Sequence, residues 1–216
     1  MGASTRPSFE EGTETIFGWV QEHWRPLLGG AVVIAALAGA FSLYERNEAQ
    51  KESRAERALL DAQRAALSGN LPLAQSDLQN VRVRYEGTQA ADRAAVALAQ
   101  VLYDQGKYAE GVKVLEPVAD SKTVAASAEA LIATGLEEQN KPKDAAEHYR
   151  KAAAASAFEV DKANFMASAA RAYARGGDTT AAKSIWTELA SDPEGPVAGE
   201  ARVRLGELTV APATKS

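Results

Sequence analysis

Few side chains in this 216-residue chain could carry chemistry. His23 and His148 are its two histidines, and it has no cysteine. A helical metal pair needs ligands at i and i+4 and a thiolate site needs clustered cysteines, so neither histidine nucleates a metal centre. Gly29-Gly30 and Gly176-Gly177 stand in no G-x-G-x-x-G or Walker pattern following a strand, and neither is placed to cradle phosphate. No G-x-S-x-G elbow exposes a serine. Acidic residues are plentiful but alternate with Lys and Arg, as on solvated helix faces rather than in a paired-carboxylate centre. The expectation is therefore no catalytic residue, no cofactor and no metal. Whatever this chain does must be done by its surface.

The elements presenting that surface are helical. Aromatic residues make up 6% of the chain, and Ala, Leu, Glu, Arg, Gln and Lys dominate over β-branched runs, which predicts an all-α fold. A net charge of −5 offers no basic stripe, so a nucleic-acid reader is excluded. Turn signals recur at Gly69-Asn70, Gly87-Thr88, Gln105-Gly106-Lys107, Gln139-Asn140-Lys141-Pro142, Gly176-Gly177-Asp178 and Asp192-Pro193-Glu194-Gly195-Pro196. Between them the apolar spacing is helical, as in Leu71, Ala74, Leu78, Val81 and Tyr85. About eight helices are expected in the C-terminal three quarters of the chain.

Four of these turns fall into register. Gly69, Gly106, Asn140 and Gly177 are separated by 37, 34 and 37 residues, and five residues after each stands Ala74, Gly111, Ala145 or Ala182. A side chain at that place lies on the first part of a second helix against its partner, where only a small group lets two backbones approach. Ala62, Ala99, Ala133 and Ala170 are the matching small positions on the first helices, and Leu78, Leu115, Tyr149 and Trp186 are bulky plugs toward the next hairpin. A period near 34 is the signature of stacked helical hairpins.

Upstream, Leu27–Tyr44 holds eighteen residues without a charge, bounded by Arg25 and Glu45. As a helix it is ~27 Å long, enough to cross a hydrocarbon core of roughly 30 Å, with Trp19, Trp24 and Tyr44 at interfacial depth. A cleavable signal peptide fits less well, because twenty-six residues precede the run and no A-x-A site follows it. Residues 1–12 are read as a disordered tail, 13–26 as an interfacial amphipathic segment ending at Pro26, 27–44 as a transmembrane helix, 45–208 as the repeat domain and 209–216 as a second disordered tail. Within the span Ala31, Ala35 and Gly39 recur every four residues, a spacing that lets two membrane helices pack closely.

The register resembles the tetratricopeptide repeat family, most clearly in Ala91–Val118 with its DQGKYAEGVKVLE turn, then in Asp144-Ala145-Ala146 with Tyr149 and in Gly177-Asp178 with Ala182 and Trp186. Departures are Pro117 inside the second helix of the second copy, Pro142 in place of a Tyr, and a first copy, Ala55–Val81, reduced to Gly69 and Ala74 and suited to an end cap. The arrangement of tail, amphipathic segment, span, charged helix and three to four repeats resembles the bacterial membrane-anchored family that includes the ancillary subunit of the Sec translocon. That resemblance implies a single-pass inner-membrane protein, not an enzyme, whose periplasmic repeats contact translocon subunits, periplasmic chaperones or client chains.

Projecting the family's register puts Arg93, Gln100, Tyr103, Asp104, Thr134, Glu137, Glu138, Arg171 and Arg175 on a concave protein-binding wall. Relatives that grip a C-terminal carboxylate use clustered Lys, Arg and Asn there, and Asp104, Glu137 and Glu138 would repel that group. Orientation sets charge against resemblance. Arg6 and Arg25 precede the span while Arg46, Lys51, Arg54, Arg57 and Arg64 follow it, which alone would place the repeats in the cytosol. Two other readings stay open: a cytosol-facing scaffold recruiting soluble partners to the membrane, and an envelope enzyme with unrecognised catalytic residues.

Overall fold

The computed structural model describes residues 9–209, with side chains from residue 37 onward. The chain divides into two compact units, Met1–Gln50 and Lys51–Ser216. Nine α-helices are described: α1 (Phe9–Leu67), α2 (Leu71–Arg84), α3 (Gln89–Asp104), α4 (Tyr108–Leu115), α5 (Ala125–Glu138), α6 (Pro142–Ala155), α7 (Glu159–Arg175), α8 (Thr179–Ser191) and α9 (Ala198–Thr209). No strand occurs among the described residues. The all-α expectation holds, and eight helices follow α1.

In the first unit the assigned helix begins at Phe9 and runs through Pro26, so helix enters the tail read at 1–12 and no break separates the segment 13–26 from the stretch after it. The rest of both predicted tails lies outside the described residues. Most of Leu27–Tyr44, including Ala31 and Ala35, lies outside the residues whose side chains are described. Its described part exposes Leu37, Phe41, Leu43 and Tyr44, and a methyl group built on Gly39 would meet nothing. Among the described residues no helix is long and apolar enough to cross a membrane.

The second unit is a stack of antiparallel hairpins, α1 from Lys51 with α2, α3 with α4, α5 with α6, and α7 with α8, closed by α9 on α8. Its four first-to-second helix turns are built alike. Gly69, Gly106, Asn140 and Gly177 all have positive φ, between 57° and 80°. At each, the amide of that residue bonds the carbonyl three back and the next amide bonds the carbonyl five back, as in Gly106 N to Tyr103 O at 2.8 Å and Lys107 N to Leu102 O at 2.8 Å. This paired closure satisfies carbonyls that a helix end would otherwise leave orphaned, and it requires the left-handed conformation that Gly and Asn adopt most readily. Asn140 therefore substitutes for Gly without changing the turn.

After each turn the second helix packs through its small residue. Ala74, Ala145 and Ala182 are fully buried, as are Ala62, Ala99, Ala133 and Ala170 opposite them, and Gly111 is buried too. Leu78, Leu115 and Trp186 fill the spaces between hairpins. Tyr149, expected to do the same, is half-buried. The apolar interior is a relay of two clusters, one joining α1, α2 and α3 and the other running from α3 to α9, as expected of a structure in which each repeat touches only its neighbours.

Two departures have local causes. Pro117 does not lie within the second helix of the second hairpin: α4 stops at Leu115 and a single 3-10 turn, Glu116–Val118, follows. The ring lacks the amide that an α-helix needs and crowds the preceding turn, so α4 has 8 residues where α2 and α6 have 14. Pro142, by contrast, occupies the first turn of α6, where its amide would be unpaired anyway. The weak first copy is an end cap. Where α3 buries Ala94, Leu98 and Val101, and α5 buries Ala128, Ile132 and Gly135, the matching positions of α1 are Arg57, Asp61 and Arg64, all exposed.

Replacing Ala145 or Ala182 by Leu is expected to overpack a helix contact and cost roughly 1–3 kcal/mol, against a few tenths for the exposed Ala154. Thermal melts checked by circular dichroism separate the two kinds of site; equal small shifts would contradict the packing described.

Candidate protein-binding wall

The first helices α3, α5 and α7 present equivalent residues one repeat apart. Gln100, Thr134 and Arg171 form one row, and Asp104, Glu138 and Arg175 another at the helix ends. Helix period explains both rows, since residues three and four apart share a face and the repeat steps of 34 and 37 preserve it.

Tyr103 has a packing role. Its ring lies across Gly111 and Gly135, so close that a methyl group built on either would stand 2.3 Å from the nearest ring or hydroxyl atom. The hydroxyl donates to the Leu131 carbonyl at 2.8 Å, and the ring tilts against Tyr108 with centroids 5.5 Å apart. The two glycines are therefore the seat of this tyrosine, tying α3 to α4 and α5. Burial pushes its phenol up to about 12.

The wall's cations are bound within the chain. Arg93 pairs with Glu56 and lies 3.9 Å from Glu52 on α1. Arg171 pairs with Glu200 of α9 at 2.7 Å and donates to Ser168 at 3.0 Å. Arg175 lies 3.2 Å from the Glu137 carboxylate, whose other oxygen accepts from the Tyr149 hydroxyl at 3.2 Å. Thr134 donates to the Ala130 carbonyl at 3.0 Å, and its oxygen stands 3.4 Å from that of Tyr149. Burial raises the pKa of Tyr149. Tyr103 therefore contacts α4 and α5, whereas Arg171 and Arg175 are held by Glu200 and Glu137. Gln100, Asp104 and Glu138 are exposed, and Asp104 and Glu138 have no bonded partner among the described residues.

Sequence reading missed three arrangements. Lys51 donates to the Glu86 carbonyl at 2.7 Å, and Glu52 accepts from the amides of Gln89 and Ala90, both at 3.0 Å, so α1 caps the start of α3. Only the mixing of acids with Lys and Arg along α1 was visible; the partners lie 35 to 38 residues away. Glu129, buried in α5, stands 2.5 Å from His148 and 4.0 Å from Lys151 on α6. That makes His148 a packing residue with a carboxylate partner. Third, Leu60 and Leu67 of α1 are exposed, and the 37-residue step projects them onto Ala97 and Asp104, a signal that the degenerate first copy concealed. No group of three or more potential metal ligands occurs among the described residues.

Stacked helical hairpins with a register of small residues and left-handed turns define a repeat scaffold, a class that typically works as a non-catalytic protein-interaction surface. The chain belongs to the tetratricopeptide repeat-like domain family, whose model matches residues 55–165. Among solved structures it is similar to a crystal structure described as nearly identical TPR-like repeats of a kinesin light chain from Podosopora anserina, at 16% identity and a TM-score of 0.56. That likeness covers 73% of this chain and 86% of the other, and at this identity it shows the fold alone. Comparison with curated proteins gives no match.

Tyr103 supplies a spectroscopic check. Its neutral phenol is favoured by the fold, so this contribution to stability is fully present below the ordinary value of 10 and is lost as pH rises through about 12. Ultraviolet pH titration of the folded protein is expected to show one tyrosine ionising last, and Tyr103→Phe to remove that step and flatten the alkaline fall in stability.

Proposed function

We propose that this chain is a membrane-tethered, non-enzymatic scaffold whose repeat wall binds proteins emerging at, or handed on from, the Sec translocon. The observation that carries the binding role is the exposed pair Asp104 and Glu138, in register on successive first helices over a packed stack, with the exposed Gln100 one helical turn from Asp104. Tethering is supported by the uncharged stretch Leu27–Tyr44, and the translocon setting by the resemblance of the whole arrangement to the anchored bacterial family. We place the repeats on the periplasmic side, with translocon subunits, periplasmic chaperones or client chains as partners. The charge count around the stretch favours the alternative, a cytosol-facing scaffold that brings soluble partners to the membrane.

Two measurements test this reading. A periplasm-dependent phosphatase fused after Leu208 is expected to be active and a fluorescent protein that matures only in the cytosol to stay dark in the same fusion; the opposite pair places the repeats in the cytosol. Photo-cross-linkers at Gln100 and Glu138 are expected to capture proteins in intact membranes, and one at the exposed Phe158 to capture none of them. Equal capture from all three positions would remove the wall as the binding surface.

A further inference from the structure

Leu60 and Leu67 are 51% and 88% exposed on α1. Their register places them on the wall. The step of 37 carries Leu60 to Ala97 and a further 34 to Leu131, both half-buried, which makes an apolar row across three first helices. Leu67 projects onto Asp104 and then Glu138, the row at the helix ends. Gln63, Gln100 and Thr134 lie between the two rows and carry no charge. On α3 and α5 the surface therefore passes from apolar to polar to acidic, while on α1 the end row carries Leu67.

The sign of that acidic edge is fixed by pairing. Arg93, Arg171 and Arg175, the cations of the wall, are each held by a carboxylate of the same chain. Asp104 and Glu138 are exposed and have no bonded partner among the described residues. An incoming carboxylate would meet neutralised arginines and two free acids, whereas a Lys or Arg would meet its complement. A second copy of this chain, with a net charge of −5, and an anionic lipid surface are both repelled by the same edge.

Resting on the reading of this wall as a protein-binding surface, we infer that its ligand is an amphipathic segment of another protein, apolar along one edge and rich in Lys or Arg along the other. The apolar edge covers Leu60 and the row beside it, and the basic edge lies over Asp104 and Glu138. Acceptance of cationic segments and rejection of acidic ones is the selectivity this arrangement gives, with the apolar row adding affinity but no sign preference.

The test uses the full-length protein in detergent micelles and two labelled synthetic peptides, one with leucines on one face and lysines on the other and a counterpart with every lysine replaced by glutamate. Fluorescence anisotropy at low ionic strength is expected to give about tenfold tighter binding of the lysine peptide, falling with added salt. The double variant Asp104→Lys, Glu138→Lys is expected to invert the order of the two peptides. Leu60→Ser is expected to weaken both by a similar factor. All three positions are exposed, and unchanged melting by circular dichroism confirms that the variants are folded. Tighter or equal binding of the glutamate peptide, an unchanged order in the charge-reversed variant, or no saturable binding of the lysine peptide overturns the inference. If cross-linkers at Gln100 and Glu138 still capture proteins in that event, the wall stands as a binding surface and only its ligand has been misassigned; if they too capture nothing, both readings fall.

Discussion

Close approach of helix backbones is the constraint on which this structure depends. At every hairpin, one small residue faces another: Ala62 and Ala74, Ala99 and Gly111, Ala133 and Ala145, Ala170 and Ala182 are buried at equivalent places in the register. Alanine also dominates the rest of the buried apolar surface. Helices so lined can interlock at short range and gain dispersion contacts that larger, looser side chains would not supply. The cost is that each contact is thin, since a buried Ala removes little apolar area from water. Stability must then accumulate from many repeats of one contact, and the few bulky residues, Leu78, Leu115 and Trp186, occupy the gaps between hairpins.

This economy explains which features were legible in the sequence. The turns could be read because a left-handed residue at a helix end restricts the amino acid to Gly or Asn, and the small positions because a larger group would not fit. Both are constraints on single residues. Tyr103 could not be read the same way: its position is equivalent to Glu137, and only the arrival of Gly135 from α5 and Gly111 from α4 makes a seat for its ring. In the sequence Gly111 answers to helix packing alone. Likewise the register alone projects Arg93, Arg171 and Arg175 onto the wall, but whether their charge is free depends on Glu56, Glu200 and Glu137, all three of which lie on other helices at distances in sequence that no local pattern spans. The buried Glu129 beside His148 belongs to the same class, a pair formed by packing of α5 on α6.

The same register, applied to the first hairpin, shows how the stack begins. Positions that bury Ala94, Leu98 and Val101 in α3 carry Arg57, Asp61 and Arg64 in α1, so this face is wetted instead of covered. A solenoid needs such a polar end to avoid stacking indefinitely on other copies. What α1 lacks in neighbours on that side it regains through electrostatics on the other. Lys51 and Glu52 reach the backbone of the α2–α3 turn, and Glu52 takes two amides at the N-terminus of α3, where the helix dipole favours a carboxylate. Arg93 closes the same group from above.

The short α4 matters for how the stack is joined. Its six missing residues, relative to α2 or α6, amount to about 9 Å of helix, most of two turns, and the segment from Pro117 to Val124 fills that length with a 3-10 turn and loop. It falls where the two apolar clusters meet, with α3 contributing Leu98 and Leu102 to one and Ala99 to the other. α3 and the Tyr103 ring seated on Gly111 and Gly135 thus bridge the two clusters. How much of α4 is left to share that task is set by a single proline.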